Sequence, residues 1–128
     1  MGKANAIRPP QRAPKGLDIL VRSQKVEVTA ALRIDIERRI ALALGRFGDQ
    51  VGRVIVDCSE SSDPLDGGGK RCQIAIDLPR AVRVQDTDPD LLTAINRAAD
   101  RAARSVARAL DRERDGQLAY PVVGRQRR

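Results

Sequence analysis

The chain contains no histidine and no tryptophan, one phenylalanine and one tyrosine, and two cysteines among its 128 residues. Without histidine it lacks the side chain most used for proton transfer near neutral pH, which is also the commonest zinc ligand. Cys58 and Cys72 are too few for a four-cysteine metal site and are not spaced as a C-x-x-C pair. Two readings remain for them, a pair of reduced thiols or a cross-strand disulfide. With only Phe47 and Tyr120 as aromatics, the chain cannot supply the rings on which single-strand binders stack bases. No apolar run reaches the roughly 18 to 20 residues that span a bilayer, and the polar N-terminus has no signal-peptide core. A soluble, cytoplasmic protein is expected. Nothing calls for a cofactor, a metal or a small-molecule substrate, and neither an enzyme nor a membrane partner is expected.

What is abundant is charge, at 32% of residues with a formal net of +7. Its distribution matters more than its size. Lys3, Arg8, Arg12 and Lys15 precede the first acid, and Arg125, Arg127 and Arg128 follow the last, so residues 17–115 are formally neutral. Any basic surface on the folded part must therefore come from sorting charges, not from an excess. The sorting is visible in Arg97, Arg101, Arg104, Arg108 and Arg112, whose spacings of four, three, four and four keep them on one side of a helix. Leu91, Ile95, Ala98, Ala99, Ala102, Val106, Ala109 and Leu110 are expected opposite them. Exposed arginines are often merely solvated. Here four like-charge neighbours, each costing a few tenths of a kcal/mol, go without acids inside the stripe, which points to a polyanion.

Residues 1–16, with Pro9, Pro10 and Pro14 among polar and basic residues, read as a disordered basic arm. Residues 17–115 read as one domain, and 116–128 as a flexible basic tail. A buried strand over 17–22 comes first. Thr29 then caps a helix whose apolar side is Leu32, Ile36, Ile40, Ala43 and Phe47, leaving Ile34 and Leu42 off that side. A strand over 51–59 follows, then a Gly-rich loop over 60–69, a strand with Cys72, Ile74, Ile76 and Leu78 on one side, a turn at 79–81, and a strand over 82–86. Asp88 is expected to cap the last helix, with Pro89 at its first position and Gly116 as its stop. The fold class is α+β, a βαβββα order with a four-stranded mixed sheet and both helices on one face. Gly67-Gly68-Gly69-Lys70 lacks phosphate-loop spacing, and Asp86, Asp88 and Asp90 serve turns and caps without a metal.

Two segments carry a resemblance: Ser23-Gln24-Lys25-Val26-Glu27-Val28-Thr29-Ala30-Ala31-Leu32-Arg33 at the entry to the first helix, and Leu92-Thr93-Ala94-Ile95-Asn96 opening the last. With the element order, they resemble the ribosome hibernation-promoting factor and ribosome-associated inhibitor family, also called sigma-54 modulation proteins, in its short form. The resemblance covers roughly residues 17–115. It implies a double-stranded-RNA-binding-like fold and a bacterial, cytoplasmic translation inhibitor active in stress or stationary phase. Its implied partner is the small ribosomal subunit and its 16S rRNA, in the cleft that otherwise takes mRNA and the A- and P-site tRNAs. Leu42 and Leu44 stand where that family often has lysines, which reduces the contribution expected of the first helix.

The candidate RNA-binding residues are accordingly Lys25, Arg33 and Arg39 near the first helix, Arg80 and Arg83 around the last strand, and the stripe Arg97, Arg101, Arg104, Arg108 and Arg112. Arg80 and Arg83 are the weaker members, since turn and edge-strand solubility explains them equally well. Binding is expected through phosphates of folded RNA by a monomer, with little base reading. The alternative is a protein-binding regulatory module without rRNA contact, using the exposed sheet face or Ile34 and Leu42.

Overall fold

The computed structural model describes residues 17–61 and 69–119, with side chains through residue 114. The arm at 1–16 and the tail from 120 onward lie outside the described residues. Four strands and two long helices follow in the expected order. They are β1 (Asp18–Gln24), α1 (Ala30–Leu44) with a single 3-10 turn at Gly45–Phe47, β2 (Arg53–Glu60), β3 (Lys70–Ile76), β4 (Val82–Asp88) and α2 (Leu91–Ala119).

The sheet order is β1-β2-β3-β4. Because α1 carries the chain back over the sheet, β1 pairs parallel with β2, with Ile19 opposite Val54 and Val21 opposite Val56. Short connections make β2, β3 and β4 an antiparallel meander, and Ser61 N–H donating to Gly69 O at 2.8 Å closes the β2–β3 turn at its base. Alternation puts Ile19, Val21, Val54, Val56, Cys58, Cys72, Ile74 and Ile76 on the covered face. Ile36, Ile40 and Leu44 of α1 and Ala94, Ile95, Ala98, Ala99, Ala102 and Val106 of α2 close the core over them. The alanines let α2 sit close to β3 and β4. Leu44, fully buried, is thus a core residue and not a lost basic contact, while Ile34 and Leu42, off the apolar side of α1, are exposed.

Thr29 caps α1 as expected, its Oγ1 accepting from Leu32 N–H at 3.1 Å. β1 and β2 are displaced by one or two residues at their ends from the sequence reading, and the larger differences lie around the last helix. β4 continues to Asp88, so the cap of α2 is Asp90 and not Asp88. Asp90 Oδ2 accepts from Thr93 N–H and Oγ1–H at 3.1 and 2.8 Å, while Asp88 Oδ2 accepts from Asp90 N–H in the preceding turn. Pro89 accordingly precedes the cap. At the other end α2 runs through Gly116 to Ala119, because one glycine costs only about 1 kcal/mol and good helix formers follow it.

Cys58 and Cys72 face each other across β2 and β3 as buried free thiols, which selects the first of the two readings. Their mutual hydrogen bond, together with burial, pushes the Cys72 thiol up. The uncovered face of the sheet carries the other residues of each strand. Leu20, Ile55, Ala75 and Arg83 form one cross-strand row, and Arg22, Asp57, Gln73 and Gln85 the next. Arg22 holds Asp57 with two hydrogen bonds of 2.8 and 2.9 Å, and Arg53 holds Asp18 at 3.1 Å.

Candidate nucleic-acid interface

The arginine stripe does not lie opposite the core. On a helical wheel its centre falls about 120° from the middle of the buried arc of α2, on the flank above the β4 edge. The consequence appears at the N-terminal end of the stripe. β4 alternates Val82, Val84, Asp86 and Asp88 toward the helix, since Asp86 pairs with the buried Cys72 and Asp88 with Lys70. Arg97 Nε donates to Asp86 Oδ1 at 3.2 Å, and its Nη2 donates to Asp88 Oδ1 at 3.1 Å and to Thr87 O at 3.0 Å. Arg101 Nε donates to Asp86 Oδ2 at 3.1 Å. The Asp86 side chain is only 8% exposed, whereas Arg97 and Arg101 are 50% and 57% exposed. The Asp86 hydrogen bond is the leading cause of the raised pKa of Arg97. Two of the five arginines are therefore matched internally.

Sequence reasoning missed this, having put Asp86 at the end of the last strand and explained it and Asp88 by turns and caps alone. The signal was the period of two from Val82, which aims Asp86 at the same flank as Arg97, eleven residues later.

Arg104, Arg108 and Arg112 are exposed, and none has an ion-pair partner among the described residues. Below them runs a groove of about 360 Å³ between β4 and α2, lined by Arg83, Gln85, Arg101, Arg104, Ser105 and Arg108. Next to it a hollow of about 220 Å³ is formed by Leu78, Pro79, Arg80, Leu110, Arg112 and Glu113. Arg83 thus meets the middle of the stripe and Arg80 its C-terminal end. Among the described residues, Arg80, Arg83, Arg104, Arg108 and Arg112 have no acidic partner and form one band along this edge, with Glu113 the only described acid lining either depression.

Lys25, Arg33 and Arg39 are not part of that band. β1 lies three strand spacings of about 4.8 Å each from β4, and the three residues belong to its side of the sheet. Arg33 is committed to the fold, its Nη1 donating at 2.8 Å to Val21 O in a part-buried position. Arg39 lies about 120° around α1 from Arg33 and is exposed. Lys25 is exposed in the turn after β1, with a φ of 63° that places it in the left-handed region.

Among the described residues no group of three or more His, Cys, Asp or Glu is arranged to hold a metal, and no helix is long and apolar enough to cross a membrane. Phe47 packs against the core with the Arg46 guanidinium 4.7 Å above its ring, so it offers no free stacking surface.

Comparison with known proteins bears on this geometry. The family model described as sigma 54 modulation protein / S30EA ribosomal protein matches residues 19–114. The N-terminal domain of Protein Y from Thermus thermophilus is 33% identical, with a TM-score of 0.57 over 69% of this chain and 92% of that one. A ribosomal subunit interface protein from Coxiella burnetii superposes with a TM-score of 0.60 over 73% of this chain and 97% of its own; at 15% identity it speaks for the fold alone. A search among curated proteins finds no significant match. The βαβββα order, the mixed four-stranded sheet with two helices on one face, and a match spanning almost all of the described residues agree: the chain belongs to the sigma 54 modulation protein / S30EA family of ribosome-associated factors.

Proposed function

We propose that this protein is a translation inhibitor that docks on the small ribosomal subunit in stress or stationary phase. In this reading it occupies 16S rRNA near the channel for mRNA and the A- and P-site tRNAs, and acts by steric exclusion, without catalysis. The observation that carries the reading is the band of unpaired cations, Arg80, Arg83, Arg104, Arg108 and Arg112, along one edge of a domain whose net charge is otherwise balanced. Guanidinium groups in a row match phosphate oxygens, each able to donate two hydrogen bonds to one phosphate. The lack of a free aromatic surface points the same way, to phosphates and the shape of folded RNA instead of stacked bases. The description of the matched family as S30EA ribosomal protein points to the ribosome as the source of that RNA.

Within this reading Arg97 and Arg101 hold the β4 edge and α2 together, and Asp86 keeps phosphates away from the first turns of the stripe. Lys25 and Arg39 are outlying contacts on the other side of the domain. Gradient fractionation of stationary-phase cells tests the reading. The protein is expected in the small-subunit and intact-ribosome fractions, and its purified form should lower translation in a reconstituted system. Recovery wholly at the top of the gradient, at low salt, would count against it.

A further inference from the structure

The edge of β4 beneath the arginine band carries groups that a chain of phosphates leaves unmet. Ser61 N–H donates to Gly69 O and Asp77 N–H to Arg53 O, so the odd-numbered residues of β2 exchange hydrogen bonds with β3. Alternation then turns the N–H and C=O of Cys72, Ile74 and Ile76 toward β4, where they meet Asp86, Val84 and Val82. Arg83, Gln85 and Thr87 are left with their backbone groups on the free edge of the sheet. At one end that edge is closed from within, because Arg97 Nη2 donates to Thr87 O at 3.0 Å. The carbonyls of Arg83 and Gln85 have no such donor among the described residues and open on the groove of about 360 Å³.

Two neutral side chains share that groove. Ser105 falls between the stripe and the buried arc of α2 on a helical wheel, about 60° from the centre of the stripe, which turns it toward β4. Gln85 enters from the strand. Neither side chain hydrogen-bonds to a described residue. The groove therefore has guanidiniums on its rim, which need acceptors, and carbonyl oxygens on its floor, which need a donor, with an amide and a hydroxyl able to serve as either. Phosphate oxygens satisfy only the first set. α2 runs antiparallel to β4, from Arg97 at Asp88 to Arg112 at Arg80. Arg104 and Arg108 are about 6 Å apart along the helix axis, and the carbonyls of Arg83 and Gln85 about 6.8 Å apart along the strand, each close to the length of one nucleotide.

We infer that this floor reads the ribose 2′-hydroxyl, so that the band selects RNA by its sugar as well as by its charge. The inference rests on the reading of the band as an RNA-binding edge. Along the groove each phosphate accepts from Arg83, Arg104 or Arg108. The neighbouring 2′-hydroxyl donates to the Arg83 or Gln85 carbonyl while accepting from the Gln85 amide or the Ser105 hydroxyl. A strand without that hydroxyl offers the same phosphates but covers the carbonyls without a donor, at the cost of their hydration.

The test is fluorescence anisotropy of the full chain with a labelled RNA hairpin and with the same hairpin carrying 2′-fluoro in place of every 2′-hydroxyl, which keeps the A-form shape and the phosphates but cannot donate. The hydroxyl form is expected to bind about tenfold more tightly, the worth of one or two neutral hydrogen bonds. The double variant Gln85→Ala, Ser105→Ala should reduce that preference by about threefold or more. Its affinity for the fluoro form and its salt slope should stay native, since no charge is removed. Both side chains lie at the surface, so its circular dichroism should match the native chain. Arg104→Gln should weaken both hairpins alike. Equal binding of the two hairpins, or a double variant with the native ratio, would overturn this inference and leave the cationic band standing. Binding of neither hairpin would overturn the RNA reading itself, and this inference with it.

Discussion

Asp86→Asn is the substitution for which the structure makes the least intuitive demand: removing one acid should steepen the salt dependence of RNA binding. In the native protein Asp86 holds Arg97 and Arg101 at 3.1 to 3.2 Å, leaving Arg80, Arg83, Arg104, Arg108 and Arg112 for phosphates. Five neutralised phosphates correspond to a slope of log affinity against log salt of about −3.5 to −4.5. Asparagine keeps the shape and one acceptor but not the charge; Arg97 keeps Asp88 at 3.1 Å while Arg101 loses its one ion-pair partner, so six arginines become available and the slope should move to about −4.2 to −5.4. Raising salt from about 50 to about 200 mM then weakens the native complex about 130- to 500-fold and the variant about 340- to 1,800-fold. The assay is fluorescence anisotropy on a labelled 16S rRNA fragment, with circular dichroism confirming that the variant is folded. Companion variants calibrate it, since Arg104→Gln should flatten the slope by about 0.7 to 0.9 and Arg97→Gln should leave it unchanged. An Asp86→Asn slope equal to the native one, or flatter, would refute the idea that this carboxylate neutralises the head of the stripe.

Three further outcomes follow from single positions. Lys25→Gly should raise thermal stability by about 1 kcal/mol, because glycine adopts the left-handed φ of 63° without the Cβ penalty, and it should weaken RNA binding if Lys25 reaches a phosphate. Glu37 has its pKa raised by burial, partly opposed by Arg33, so folding favours its neutral form. Stability from this group is therefore greatest in acid and declines as pH rises through the carboxylate range. Glu37→Gln should stabilise at pH 7, with a gain that disappears in acid, as denaturant titrations at several pH values would reveal. Asn96 Oδ1 is buried in α2 without a partner, so Asn96→Ala, which removes that oxygen and improves helix propensity, should stabilise by about 0.5 to 1 kcal/mol in a urea titration.

Much of the fold was legible because its signals are local. The alternation of Val54, Val56 and Cys58, or of Cys72, Ile74 and Ile76, allows only one face to be buried, and Thr29 followed by Leu32, Ile36 and Ile40 marks a capped helix. Connection lengths then decided the topology, since the short links after β2 and β3 permit only antiparallel neighbours. The misses came where two elements compete for one residue. Asp88 is as good a cap as Asp90, and only the length of β4 decides between them. Leu44 read as a departure from a basic helix because the burial of that helix's last turn depends on β-strand partners far off in sequence.

The candidate site was legible by half. Spacing alone put five arginines in line, yet the acids that neutralise two of them sit on another element, at positions with a full local explanation of their own. Conversely Arg80 and Arg83, unremarkable in their own segments, gain significance only when α2 is laid along the β4 edge. Arg33 shows the reverse, a basic residue at a suggestive position whose guanidinium ties α1 to the Val21 carbonyl. Charge type is written in the sequence, but availability of charge is a property of the tertiary structure.

The most direct measurement is co-sedimentation with purified small subunits of the native chain and of one variant with Arg104, Arg108 and Arg112 all changed to glutamate. These residues make no side-chain hydrogen bond or ion pair among the described residues, so the variant should keep its native circular dichroism. The native chain is expected to pellet with the subunit at low salt and to be released as salt rises, while the variant stays in the supernatant throughout. A folded variant that pellets as the native chain does would contradict the claim that this flank of α2 meets ribosomal RNA.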